Sequence, residues 1–300
     1  MAKGNDSKRV IMTDTACAPT DDLVKKYNLE VMGMRVLMDD KNYIDGKEID
    51  HETYYSMIES VKDFNTNPPL VGEIKKRYEE LRKKGYREVI AIHVSSKMSK
   101  LIETSNNARK LVTHPDVRII DTENVSAGAF FIVEKIAELL HRGKTYEEVL
   151  ALLPEIRESS FIQISLSTLK YLVKNKRIGR AQGLVGALLG MKPILGIDSE
   201  GYLSPVSKER GKAAVTERIS DNAIRFLEKR PYNVKIYLAY GLEKNKKQVE
   251  AVFDVFIKKL EKLKISQYDV IRGRVWPTIA SLSGPEVYGF GVYGEKNPID

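Results

Sequence analysis

The sequence predicts an α/β protein with a mostly parallel N-terminal sheet and a mixed α+β C-terminal part, and three observations carry this. Short runs rich in Val and Ile alternate with helix-like segments through the first half of the chain. Each of three such runs ends in small hydroxyl or carboxyl residues. Beyond about residue 160 the strand candidates follow one another more closely, with a hairpin signal between two of them.

The strand candidates of the first half are Val10–Thr13, Val31–Met38, Val89–Val94 and Val117–Ile120. Between them, Ile74, Tyr78 and Leu81 recur at helical spacing within Glu73–Lys84. Ser126–Leu140 is apolar over a broad face and is followed by Gly143, a stop signal. In the second half, Phe161–Leu166, Ile194–Ile197, Gly201–Val206 and Lys235–Ala239 read as strands, with Asp198–Gly201 as a hairpin turn. Val270–Ile271 and Phe290–Tyr293 are later strand candidates. Leu169–Leu172, Gly183–Leu189 and Lys246–Leu263 read as helices, and the last places Val249, Val252, Phe253, Phe256, Leu260 and Leu263 on one face. The pattern divides the chain into an N-terminal α/β domain over 8–160 and a C-terminal α+β domain over 161–300.

At 300 residues with 42% hydrophobic content the chain can bury a sizeable core without disulfides. Its single cysteine, Cys17, has no internal partner and suits a reducing compartment. No apolar run reaches the ~20 residues of a membrane span, the longest being Gly183–Ile197, interrupted by Lys192 and Pro193. The polar start, MAKGNDSKR, lacks a signal-peptide apolar stretch, and the expected location is cytoplasmic. The formal charge of +8 is compatible with an anionic membrane surface or an acidic partner, and also with ordinary solvated helix faces. No nucleic-acid-binding signature accompanies it, so nucleic acid is not an expected partner.

In an open parallel sheet, ligands gather beyond the carboxyl ends of the strands. Thr13-Asp14-Thr15, Ser95-Ser96 and Asp121-Thr122 would all line that edge, as a site or as caps of the following helices. The chain has no GxSxG elbow, no P-loop and no HExxH. Cys17, in what reads as a polar loop, is either a nucleophile or an inert thiol. His51, His93, His114 and His141 show no ligand spacing, and no metal is expected. His93 lies two residues before Ser95 on one strand, as a donor beside the serine or as a satisfied buried histidine. The basic stretch Lys174–Arg180 and the segment Lys208–Lys212 are anion- or partner-binding candidates, or solvated loops. Ser283-Gly284-Pro285 with Gly289, Gly291 and Gly294 is a close-approach loop or a simple turn.

Taken in order, a set of short motifs resembles the DegV family over nearly the whole chain. The set begins with Thr13-Asp14-Thr15, Tyr43-Ile44-Asp45-Gly46, Thr66 before Gly72-Glu73, and Val94–Ser99. It continues with Asp121-Thr122, Ser126 and Gly128, Leu172 through Arg177-Ile178, Met191–Leu195, Arg210–Ala213, and Gly284-Pro285 with Gly289. The resemblance implies a two-domain DegV-like fold with one long-chain fatty acid between the domains. The acyl chain would fill an apolar tunnel and its carboxylate would be presented to a separate fatty acid kinase, which makes an acyl phosphate for bacterial phospholipid metabolism. It implies a non-catalytic lipid-binding protein with no cofactor besides the bound lipid.

Residue by residue, the resemblance assigns Thr66, Ser95, Ser96 and Arg210 to the carboxylate. Asp14, Thr15, His93, Asp121, Ser281, Leu282 and Gly284 become neighbours of the head group, and Arg177 a contact with the kinase or the phosphoryl group. Three departures stand out. Thr66-Asn67-Pro68-Pro69-Leu70 replaces the usual Thr-Ser-Gln-Pro-Ser, and Ser99-Lys100-Leu101 replaces Ser-Gly-Thr. Leu282 stands where a histidine usually precedes Gly-Pro, so Ser281, His93 or a water would have to supply the missing donor. The alternatives are a lipid-sensing regulatory protein with another ligand, or a phosphoryl-transfer or hydrolytic enzyme acting on a small anion through Asp14, Ser95 and Asp121.

Overall fold

A computed structural model describes residues 8–58, 60–186 and 190–300. In chain order the first half runs β1 (Arg9–Asp14), α1 (Asp21–Tyr27), β2 (Glu30–Met32), β3 (Arg35–Met38), β4 (Lys41–Ile44), α2 (His51–Met57) and β5 (Phe64–Asn67). It continues with α3 (Val71–Lys83), β6 (Glu88–His93), α4 (Leu101–Arg109), β7 (Asp116–Asp121), α5 (Ser126–His141) and α6 (Tyr146–Glu158). The second half begins with β8 (Ser160–Ser165), α7 (Lys170–Lys174), β9 (Lys192–Ile197), β10 (Leu203–Glu209) and α8 (Gly211–Leu227). It ends with β11 (Tyr232–Tyr240), α9 (Lys246–Leu260), β12 (Asp269–Arg274), α10 (Pro277–Ser283) and β13 (Tyr288–Glu295).

The Val/Ile runs of the first half form a parallel sheet in the order β2-β1-β6-β7. Val89, Ile90, Ala91 and Ile92 are fully buried, as expected for strands covered by helices on both faces. The second half supplies a mixed six-stranded sheet, β10-β9-β8-β13-β11-β12, in which only β11 and β12 pair in parallel. A small antiparallel sheet, β4-β3-β5, completes the fold.

Helix α5 joins the two large sheets. Its sequence, SAGAFFIVEKIAELLH, is buried nearly all round, and it packs against β8 and β13 as well as α6. Phe130 and Phe131 meet Tyr237 edge-on, so one apolar core runs from the parallel sheet onto the six-stranded sheet. The other face of that sheet carries a second core beneath α8 and α9, built on Val215, Ile219, Val252, Phe256 and Phe290. This matches the expected stripe of Lys246–Leu263, which ends as α9 followed by a 3-10 turn over Glu261–Leu263.

Two expectations are corrected. Val31–Met38 is two strands, not one: β2 pairs with β1, and β3 belongs to the small sheet. The break is at Gly33, where a Cβ would stand 2.4 Å from the Asp45 carbonyl oxygen, a backbone approach only glycine permits. The helix expected over Gly183–Leu189 is instead a 3-10 turn over Gly179–Leu184 followed by a turn, and residues 187–189 lie outside the described residues. Residues 1–7, read above as a polar start, also lie outside them. Among the described residues no helix is long and apolar enough to cross a membrane.

Candidate functional site

Parallel pairing brings the carboxyl ends of β1, β6 and β7 side by side, with His93 in register with Asp121. Asp14 is fully buried there. One of its oxygens accepts from the Ala16 N–H (3.0 Å) and the other from the Val94 N–H (3.0 Å) and His93 Nδ1 (3.1 Å). His93 Nε2 is then left to accept from the Ser105 hydroxyl at 3.1 Å. Both ring nitrogens are thus occupied away from Ser95, and His93 is a satisfied buried histidine. The Asp121 carboxylate accepts from the N–H groups of Ser96 (3.2 Å) and Glu123 (2.7 Å). The Ser95 hydroxyl donates to the Gly201 carbonyl at 2.8 Å, so it ties this edge to the β9–β10 hairpin. Cys17 is buried in the 3-10 turn after β1 rather than in a polar loop. Burial, reinforced by the Asp14 charge, pushes its thiol well above the usual range and makes it a poor nucleophile.

Beside this edge, between the parallel and six-stranded sheets, lies an apolar cavity of about 50 Å³. Its N-terminal wall is Ala16, Met34, Thr66, Val94, Met98, Ser99 and Val125. Its C-terminal wall comes from Ile164, Leu172, Arg177 and Leu203, and from Thr278, Ile279, Leu282 and Ser283 around α10. Two larger clefts, of about 670 and 570 Å³, carry many charged groups on their walls, among them Lys135 and Glu295 in the first and Arg77 and Glu80 in the second.

Of the residues given a head-group or kinase role from sequence, Thr66, Arg177 and Leu282 line the cavity. The Thr66 hydroxyl has no hydrogen-bond partner among the described residues, although the side chain is buried. Arg177 is half-buried and donates to the carbonyls of Asn175 (2.6 Å) and Met98 (3.4 Å), closing one end. Ser281 is buried behind the wall, paired with the Tyr54 hydroxyl at 2.9 Å. Gly284 ends α10 at φ +90°, with the Tyr171 ring of α7 where a Cβ would be, so α7 and α10 pack as one unit. Arg210 is exposed at the N-terminus of α8. Leu203 of β10 reaches the cavity, but Arg210 follows about 20 Å further along the chain.

Thr278 on the cavity wall and its partner Asp45 behind it had no role assigned from sequence. Thr278 donates its N–H to Asp45 at 3.0 Å and its hydroxyl to the same carboxylate oxygen. The Thr15 hydroxyl lies 3.4 Å from that of Thr278 and accepts from the Met34 N–H. Asp45 is buried, its other oxygen has no partner, and burial raises its pKa to about 7. The available signal was Asp45 itself, an acid before a glycine in Tyr43-Ile44-Asp45-Gly46, which also reads as an ordinary turn.

The fold and the site define an α/β protein whose two sheets close on an apolar cavity with hydroxyl and guanidinium groups at its wall. The chain belongs to the DegV family, whose model ("Uncharacterised protein, DegV family") matches residues 8–295. A DegV domain-containing protein of Clostridium acetobutylicum is 30% identical over 238 residues, 78% of this chain and 82% of that protein. One from Staphylococcus aureus is 31% identical over 261 residues, 83% of this chain and 90% of its own length. A Thermus thermophilus DegV protein structure, described as fatty acid binding, superposes with a TM-score of 0.83 at 25% identity, covering 95% of this chain and 99% of that one.

Proposed function

We propose that this protein is a non-catalytic cytoplasmic carrier that buries a long-chain fatty acid in the cavity between its sheets and presents the carboxylate to a fatty acid kinase. The observation that carries this reading is the apolar cavity between the sheets with an unpartnered Thr66 hydroxyl on its wall. The fatty-acid binding of the Thermus relative supports it. Each buried methylene would contribute ~0.8 kcal/mol, so an acyl chain supplies ample affinity. Thr66 and Thr278 would serve the head group directly, with the Ser95–Ser96 turn beside them, and Arg177 would face the kinase or the phosphoryl group. The division between two domains near residue 160, with the ligand between them, belongs to the same proposal. The net charge of +8 would favour lipid collection at an anionic membrane surface.

At about 50 Å³ the cavity is well below the ~300 Å³ at which small-molecule sites begin, so the walls must part to admit a chain. The α7–α10 unit is the wall suited to move, since Leu172, Ile279 and Leu282 all ride on it.

A regulatory, lipid-sensing role is the second reading, favoured by Leu282, an apolar group at the cavity wall where the family resemblance implies histidine. The enzyme alternative has weaker support, because Asp14 and Asp121 are spent on backbone N–H groups and Ser95 on a carbonyl.

Native mass spectrometry of the purified protein, followed by solvent extraction and lipid identification, tests the carrier reading. One co-purifying fatty acid per chain is expected. An empty protein that also fails to take up added fatty acids would overturn it. Phosphorylation of the bound acid by an added fatty acid kinase separates the carrier from the sensor.

A further inference from the structure

Strand β8 alternates between two cavities. Ile164 faces the apolar one, and Ser165 faces a separate cavity of about 220 Å³ on the opposite side of the six-stranded sheet. We propose that this second cavity is a binding site for a small phosphate-class anion, inorganic phosphate or a phosphate monoester.

Charge is the first argument. Lys192 opens β9, Lys212 lies in the first turn of α8, and Lys244 precedes α9; all three line the cavity. One carboxylate, Glu286, stands against them and is paired with Lys244. Lys192 and Lys212 have no ion pair among the described residues. The cavity therefore carries an excess of positive charge.

Unpartnered hydroxyls are the second, independent argument. Ser165 and Tyr288 are cross-strand neighbours, 1% and 6% exposed, and both line the cavity. Neither hydroxyl has a partner in the protein other than the neighbouring one of the pair. Even if the two bonded to each other, they would use one hydrogen and leave a second to donate. The start of α8 adds backbone donors, since its first turn has no side-chain cap.

The site also discriminates among anions. The Asn245 amide nitrogen donates to the Glu286 carbonyl at 3.3 Å, which leaves its buried carbonyl oxygen as an unpartnered acceptor. Hydrogen phosphate and phosphate monoesters can present an O–H to that oxygen while their other oxygens accept from lysines and hydroxyls. Fully deprotonated sulfate cannot. The volume lies below the ~300 Å³ of a typical small-molecule site, which suits phosphate with at most a short organic group.

No residue lining this cavity lines the apolar one, so the assignment stands apart from the fatty-acid reading. Calorimetric titration of the full-length protein with inorganic phosphate and with glycerol phosphate, at constant ionic strength, tests it. Saturable binding with sulfate weaker than phosphate is expected, and Lys192→Gln or Lys212→Gln should weaken it about tenfold. Ser165→Ala should weaken it by a smaller factor. Circular dichroism and the thermal transition confirm that each variant is folded. Absence of saturable binding by either anion overturns the assignment, as does affinity unchanged in folded Lys192→Gln and Lys212→Gln proteins.

Discussion

One carboxylate oxygen of Asp45 accepts both the backbone N–H and the hydroxyl of Thr278, fastening the turn after β4 to the first turn of α10. The other oxygen has no partner, so ionising this buried group is unfavourable.

Burial raises the Asp45 pKa from 3.8 to about 7. The folded state keeps a proton that the unfolded chain releases near 3.8. This group therefore makes stability fall as pH rises from about 4 to about 7, with no further loss above. Asp45→Asn removes the titration and keeps an oxygen acceptor for Thr278. In urea unfolding, the wild type should lose stability relative to the variant between about pH 4 and about pH 7, by on the order of a few kcal/mol. Parallel pH profiles for the two proteins would contradict the assignment.

Thr66 offers a hydroxyl to the cavity, so Thr66→Val, which keeps volume and shape, isolates that group. Fatty-acid affinity should fall by about 1–1.5 kcal/mol, or roughly tenfold, in competition with a fluorescent fatty acid. Leu282→His should act in the opposite direction by placing a donor on the same wall. Unchanged affinity in both variants would place the carboxylate elsewhere.

The parallel sheet was legible because β1, β6 and β7 are continuous Val/Ile runs, and the α9 stripe because its period is unambiguous. The break between β2 and β3 was not, since Gly33 interrupts no apolar alternation and the reason for it is the Asp45 backbone, distant in sequence. Strand β5, Phe-Asn-Thr-Asn, is too polar to announce itself and exists because it pairs with β3. At the site, Thr66, Arg177 and Leu282 were found by motif order. The apolar wall was not, because nothing local distinguishes Met34, Val125 or Ile279 at a cavity from the same residues in a packed core. Thr278 escaped notice because its role depends on a carboxylate more than 200 residues away.

Arg177 joins the segment after α7 to the loop after β6 through the carbonyls of Asn175 and Met98. Lysine has the charge but not the forked geometry for both contacts. Arg177→Lys and Arg177→Ala should both speed fatty-acid release, with alanine the larger effect, as followed by stopped-flow displacement. Amide exchange should rise around Asn175 and Met98. Release rates equal to wild type in both variants would show that this end of the cavity is not the gate.

Glu295 is a buried charge with every contact made. It accepts from the Tyr293 hydroxyl (2.8 Å), Asn233 Nδ2 (2.6 Å) and the Ile299 N–H (2.9 Å), and pairs with Lys135 of α5 at 3.1 Å. The network holds the central helix to β13 and to the C-terminal segment. Glu295→Ala would strand the Lys135 ammonium, 6% exposed, with only Glu138 at 3.8 Å. Breaking a buried pair from one side costs about 3–5 kcal/mol, and that partial compensation by Glu138 puts the expected loss at the lower end. Lys135→Met should cost less, because Glu295 keeps its three neutral donors. Removing both charges with Lys135→Met and Glu295→Leu should recover part of the loss, since the desolvation of two ions disappears with them. Guanidinium denaturation of the three variants reads this order directly. A double variant less stable than Glu295→Ala would show that the hydrogen bonds to Tyr293, Asn233 and Ile299, rather than the ion pair, hold the helix to the sheet.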